Sequence, residues 1–227
     1  MVDAFGEMLR AGTDAEIIER DDGFIQGSTL IYFAPVRRWS TVERRALRFV
    51  RGRVLDVGVG AGRVALELQA RGRDVVAIDI SPGAVEVARK RGVHDVRLLA
   101  LEDVDSSLGH FDTVVMYGNN FGLFASRAKA RRLLQRLRPF VGRIVACSND
   151  PYATEDAAHL AYQERNRKRG RMSGQLRVRV RYRTLIGPWF DYLIVSPDEM
   201  AEIVDGTGWR ISRLVQHEGS SYVAVLE

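Results

Sequence analysis

The amino-acid sequence predicts an α/β fold, a mostly parallel sheet with helices on both faces, and three observations predict it. Short apolar runs alternate with helical segments through the middle of the chain, the pattern of β–α–β units. The run VLDVGVGAGR, residues 54–63, ends an apolar strand in glycines at every second position and continues directly into helix-forming sequence. The length of 227 residues, 46% of them hydrophobic, suffices to bury one large core.

A single domain over 1–227 is therefore expected, in four stretches. An N-terminal flap and helix occupy 1–46, where SerThrValGlu at 40–43 reads as a capping box opening a helix to about residue 50. A core over 47–150 holds strands at 53–57, 74–78, 96–99, 113–117 and 143–148. Its helices start after Gly62, at Pro82 and near Ser126; Ser81 caps the second, Pro82 suits its first position and Gly92 ends it. An inserted helix and strand pair follow over 151–195. In QLRVRVRYR, Val178, Val180 and Tyr182 face one way and Arg177, Arg179, Arg181 and Arg183 the other. PWFDYLIV supplies the second, antiparallel strand. Over 196–227, Ser196, Pro197 and Glu199 open a capped helix, and WRISRLVQ and SYVAVLE close the chain as strands.

Composition excludes several functions. No apolar run approaches the length of a membrane span, and MVDAFGEMLR lacks a basic region leading into an apolar one, so a cytoplasmic protein without an export signal is expected. Cys147 is the sole cysteine, which rules out an internal disulfide and a cysteine-based zinc cluster. His94, His110, His159 and His217 show no metal spacing, so no metal is expected. The net charge of +5 permits a nucleic-acid partner, but nearly all of the cations are arginine, a bias that genome composition alone can produce.

The glycine loop is the candidate binding site. A strand that stops at glycines before a helix presents backbone N–H groups to polar or anionic parts of a ligand. Gly58, Gly60 and Gly62 are spaced G-x-G-x-G, with Arg63 where a nicotinamide-dinucleotide fingerprint requires its third glycine. Asp56, just before the loop, suits a ligand with an ammonium rather than a pyrophosphate. Asp79 ends the next strand, where a carboxylate accepts from both hydroxyls of a ribose. After the third strand, Glu102 or Asp103 is placed to accept from an adenine amino group, with Ile80 and Leu101 flanking the ring.

These residues resemble the class I S-adenosylmethionine-dependent methyltransferases. The resemblance rests on VLDVGVGAGR, VVAIDISPGAVEVARKRG, LLALEDV, FDTVVMYGNNFGLF and the two C-terminal strands. It implies a Rossmann-like seven-stranded sheet with an antiparallel last strand. It also implies that Gly58, Gly60 and Gly62 line the methionine end of the cofactor, with Asp79 on the ribose. Tyr117, Gly118 and Asn119 would border the methionine end, and Asn120 the acceptor. Many members carry an aspartate where this chain has Leu101. YGNNFG lacks the Pro-Pro-Tyr that follows the Asn or Asp in some relatives methylating nucleic-acid amino groups.

The expected function is transfer of the methyl group of S-adenosylmethionine, giving S-adenosylhomocysteine, to a small-molecule acceptor through O, N or C. Tyr152, Tyr182 and Trp189 are candidate acceptor contacts, with Asp150 looking into the same cleft; no general base stands out. RNA or protein methylation is an alternative, favoured by the basic balance. A non-catalytic S-adenosylmethionine-binding module is another. The Arg177, Arg179, Arg181 and Arg183 face binds phosphates on one reading, and on the other is the solvated outer side of a strand pair.

Overall fold

The computed structural model describes residues 2–27 and 31–227. From the N-terminus come α1 (Ala4–Arg10), β1 (Ile17–Arg20), β2 (Ile25–Gly27) and α2 (Thr41–Ala46). The core follows as β3 (Val54–Val57), α3 (Arg63–Ala70), β4 (Val75–Asp79), α4 (Pro82–Lys90), β5 (Asp95–Leu98), β6 (Thr113–Met116), α5 (Arg127–Leu137) and β7 (Ile144–Asn149). The last third holds α6 (Ala157–Lys168), β8 (Gln175–Tyr182), β9 (Leu185–Ile186), β10 (Phe190–Leu193), α7 (Pro197–Val204), β11 (Ile211–Gln216) and β12 (Ser221–Leu226).

The main sheet has seven strands in the order β11-β12-β7-β6-β3-β4-β5. β3 to β7 run parallel, and β12 enters antiparallel between β7 and β11. This is the expected Rossmann-like arrangement. Helices cover both faces, which is why β3, β4 and β6 are buried at every position rather than at alternate ones. Leu55, Val57, Val114 and Met116 pack with Leu133, Leu134 and Met200 of α5 and α7. Val54, Val115 and Val145 pack with Val42, Ala65 and Ala88 of α2, α3 and α4. Each such aliphatic side chain, fully buried, contributes about 1.5–3 kcal/mol.

A second, antiparallel sheet roofs the carboxyl edge of the first. Its order is β10-β8-β1-β2, with β9 on β8. The sequence shows only β8 and β10 as a pair; two of the remaining strands come from the first forty residues, which were expected as a flap. On the inner face Val180 and Tyr182 pack against Met8 and Leu9 of α1 and Val87 of α4. On the outer face Glu19 of β1 accepts from Arg179 at 2.7 Å and Arg181 at 2.9 Å, and Arg179 lies over Trp189. Arg177 pairs with Asp191 across to β10. The alternation expected of β8 holds through Tyr182, with the charged side outermost, but Arg183 falls past the strand end in a left-handed turn (φ +52°) and lies over the Tyr182 ring.

The capping box expected at 40–43 forms only by half. Ser40 accepts from the Glu43 N–H at 3.3 Å, but the Glu43 side chain turns inward instead of back to the cap. Arg63 and a strand-end N–H compete for it there, and a buried carboxylate needs them more than an exposed helix end does.

Candidate cofactor and acceptor site

The loop after β3 turns on three left-handed residues, Gly58 (φ +76°), Gly60 (+53°) and Gly62 (+83°), a backbone that side-chain-bearing residues rarely adopt. Space closes around it too. A Cβ on Gly58 would stand 2.5 Å from the Asn120 amide nitrogen, and one on Gly62 2.8 Å from Val93. The Gly58 and Val59 N–H groups donate to the Ile78 carbonyl of β4 at 2.9 and 3.0 Å, which docks the loop on the neighbouring strand.

Asp79 completes that docking. One carboxylate oxygen accepts from the Gly60 N–H at 3.0 Å, the other from the Ser81 N–H at 2.9 Å. Each keeps a further lone pair for a ligand hydroxyl. Burial raises its pKa above the ordinary carboxylate range, and the Ser81 and Gly60 N–H groups oppose that rise.

Beneath the loop lies a buried charge cluster. Arg63, the first residue of α3, grips Glu43 with two hydrogen bonds of 2.7 and 3.1 Å, and its guanidinium stacks on Trp39. Glu43 also accepts from the Gly118 N–H at 2.9 Å, tying α2 to the end of β6. Asp56 adds a second carboxylate with no cation of its own. Burial pushes it up to about 7, against the pull of Arg63 and the Ala65 backbone. The cluster thus sets two buried carboxylates against one guanidinium.

Unsatisfied groups point to the same place. Four buried side-chain polar atoms lack a hydrogen-bond partner among the described residues. Three of them, Asp56 Oδ2, the Tyr117 hydroxyl and Asn119 Oδ1, lie at the ends of β3 and β6. Such groups cost about 1–3 kcal/mol each unless a ligand or water satisfies them. Burial and the nearby Glu43 raise the Tyr117 phenol well above its ordinary pKa, so it stays a neutral donor. Asn119 is left-handed (φ +67°), a conformation that Asn tolerates better than most residues.

The N-terminal segment closes one side. Phe5 and Tyr32 meet edge to face with ring centres 5.2 Å apart, and both approach within 4 Å of where a Cβ on Gly60 would stand. Asp3 caps α1 at Gly6 and also accepts from the Gly83 N–H and the Ser81 hydroxyl at 2.9 Å, so one carboxylate fastens α1 onto the start of α4. Gly6 and Gly83 permit the contact: a Cβ on Gly83 would sit 2.4 Å from the Gly6 Cα.

Other expected residues fall as follows. Ile80, just past the end of β4, is 72% exposed and open to stack on a ring, whereas Leu101, in the turn after β5, is buried in the core. Glu102 is ion-paired with Lys129, whereas Asp103 is exposed. Asn120, expected at the acceptor, instead donates to the Val57 and Gly58 carbonyls at 2.8 and 3.1 Å, because those strand-end carbonyls need donors. Tyr152, Tyr182 and Trp189 are not brought together. Tyr152 donates to Glu199 at the surface, Tyr182 is core against α1, and Trp189 lies under Arg179 on the outer face. None of them lines the cavity of about 300 Å³ between the roof sheet and the end of β7. Sequence reasoning missed Glu43, whose place in S-x-x-E concealed it as a cap, and Phe5 and Arg20, whose positions depend on the roof. No grouping of three His, Cys, Asp or Glu able to hold a metal occurs among the described residues.

A parallel sheet whose first strand feeds a left-handed glycine loop, with a ribose-type carboxylate on the next strand, defines a nucleoside-cofactor domain. Comparison with known proteins sharpens this. A methyltransferase-domain family model matches residues 54–141. Over 67 residues the chain is 43% identical to the magnesium-protoporphyrin O-methyltransferase of Rhodobacter capsulatus, a match covering 28% of this chain and 30% of that protein. Over 134 residues it is 31% identical to the demethylmenaquinone methyltransferase of Clavibacter sepedonicus, covering 57% of this chain and 54% of the relative. The matches thus span from under a third to about half of those relatives. A methyltransferase from Bacteroides fragilis, solved with S-adenosyl-L-homocysteine, superposes with a TM-score of 0.80 at 26% identity over 99% of this chain and 92% of that one. The matched stretch is a methyltransferase domain, and the chain is similar to the class I S-adenosylmethionine-dependent methyltransferases, a likeness that supports S-adenosylmethionine as the cofactor.

Proposed function

We propose that the protein transfers the methyl group of S-adenosylmethionine to a small-molecule acceptor. The observation that carries this reading is the cluster of orphaned buried groups beside the glycine loop, short by one positive charge. In it, Asp56 receives the cofactor ammonium, directly or through water, and Gly58, Gly60 and Gly62 let the backbone approach the methionine chain. Tyr117, Gly118 and Asn119 border that end. Asp79 accepts from the ribose, Ile80 and Leu101 flank the adenine, and Asp103 rather than the paired Glu102 is free to reach its amino group. S-adenosylmethionine, when bound, supplies a sulfonium methyl group open to in-line displacement. The chain's own part is to orient the acceptor and exclude water, which Phe5, Tyr32 and the roof sheet are placed to do.

A small acceptor is supported by the cavity between the roof sheet and the end of β7 and by the relatives, which are named for magnesium-protoporphyrin and demethylmenaquinone. The cavity also favours an enzyme over a binding module. RNA methylation loses the support of the arginine strand, since Arg179 and Arg181 are engaged by Glu19, and Arg177 by Asp191. Among the described residues no helix is long and apolar enough to cross a membrane, and a cytoplasmic location is part of the same reading.

Calorimetric titration with S-adenosylmethionine, S-adenosylhomocysteine and NAD tests it. Binding of the first two without the third is expected. Folded, ligand-free protein that binds neither adenosyl compound would overturn the reading.

A further inference from the structure

We propose that the cavity between the roof sheet, α6 and the end of β7 is the acceptor pocket, and that it takes a single-ring compound with a carbonyl oxygen at one end and a hydroxyl group at the other. The proposal rests on the methyltransferase reading above.

Position is the first argument. Leu176 and Val178 of the roof line the cavity, and Tyr192 stands directly opposite Leu176 in the antiparallel pair, on the same face. The Tyr192 hydroxyl donates to the Asn119 carbonyl at 2.6 Å. One continuous face therefore runs from the cavity to the strand end that borders the methionine. The opposite wall is Asn149 and Asp150, which close β7, the strand next to β6.

Size and lining are the second. About 300 Å³ lies at the lower end of the range for small-molecule sites, room for a ring and two substituents but not for a nucleotide chain. Ile18, Phe24, Leu176, Val178 and Ile194 give it apolar walls.

The polar ends fix the chemistry. Arg20, its side chain 6% exposed, is clamped between the rings of Phe24 and Tyr162. Its Nε and Nη2 donate to Asp22 at 2.8 Å, Nη2 also to the Ala158 carbonyl, and Nη1 to His159 Nδ1 at 2.9 Å. A guanidinium has five N–H donors and no acceptor, so His159 Nδ1 must accept, its ring proton sits on Nε2, and one Nη1 proton is left over. Two N–H donors thus stand together at one end of the cavity. The bidentate Asp22 already neutralises Arg20, which suits a neutral carbonyl oxygen better than a carboxylate or phosphate. At the sheet end Asp150 accepts from the Tyr152 N–H with Oδ1 only, leaving Oδ2 and the Asn149 amide for a hydroxyl group.

4-Hydroxyacetophenone, a ring with a hydroxyl and a carbonyl at opposite ends, is the probe, titrated into protein saturated with S-adenosylhomocysteine. Val178→Trp fills the cavity, and His159→Phe keeps the ring while removing the Nε2 donor. Wild type should bind; Val178→Trp should not; His159→Phe should bind about tenfold more weakly, the loss of one hydrogen bond. S-adenosylhomocysteine affinity should stay unchanged throughout. Failure of wild type to bind the probe, or equal binding by His159→Phe, overturns the pocket while leaving the cofactor reading standing. If Val178→Trp does not fold, the half-buried His159→Phe still decides. Loss of S-adenosylhomocysteine binding by the wild type itself takes both readings down.

Discussion

The cofactor half of the molecule and the roof above it hold their ligands by different means. Around the glycine loop the contacts are made by backbone: left-handed glycines, N–H groups and carbonyls, locked by the buried carboxylates Asp79 and Glu43. In the roof the wall is made by side chains on strands whose outer face is a lattice of arginine and carboxylate pairs. The difference teaches that one half tolerates little change, whereas the other can be recut for a new acceptor without disturbing the cofactor.

Substitutions test that contrast. The largest effect is expected of Arg63→Met, which leaves Glu43 buried without its partner and should cost about 3–5 kcal/mol in urea unfolding. A loss of under about 1 kcal/mol would mean that the pair is not what holds the loop to α2. Next, Asp79→Ala should weaken S-adenosylhomocysteine binding by about 1.5–3 kcal/mol, the worth of hydrogen bonds to a charged group. It should also lower stability, since the Gly60 and Ser81 N–H groups lose their acceptor. Unchanged affinity would remove Asp79 from the site.

Asp56 gives a pH-dependent effect of similar kind. Its pKa is raised from 3.8 to about 7 in the folded chain, so between those values the folded state holds the proton that the unfolded state releases. Stability of the unliganded protein should therefore fall as pH rises through that window, by roughly 1.4 kcal/mol per unit at most, and level off above it. Asp56→Asn should flatten this slope in thermal melts. Because an ammonium favours the ionised carboxylate, cofactor affinity should rise with pH through about 7 in wild type and not in the variant. The smallest effect belongs to the roof: Arg181→Ala, on a half-exposed side chain, should shift the melting temperature least and leave S-adenosylhomocysteine affinity untouched. A large loss of cofactor affinity there would erase the contrast between the halves.

The same contrast explains what the sequence made legible. Strand, loop and helix in the cofactor half are neighbours in the chain, so Asp56, the three glycines and Asp79 carry their meaning in their spacing. The seven-stranded sheet followed from apolar runs that are buried on both sides. The roof was half visible: QLRVRVRYR alternates, but IIER and IQG are too short to read as strands until β8 pairs with the first and the first with the second. Tyr182 and Trp189, on or beside the inserted pair, and Tyr152, just past the fifth core strand, looked like pocket walls because aromatic residues there suit either role, and only packing assigns them to core or surface. Glu43 was hidden by its own plausibility as a helix cap.

The pairing of β1 with β8 has a consequence for the order in which the chain comes together. Glu19 and Arg179 are 160 positions apart, so the first strands must wait until most of the polypeptide has left the ribosome before they find their edge. The parallel core, built from local units, is complete as far as β7 before β8 exists. A nascent chain therefore reaches the stage of a formed nucleoside cleft with no acceptor chamber above it, and the chamber closes only once β8 and β10 have emerged.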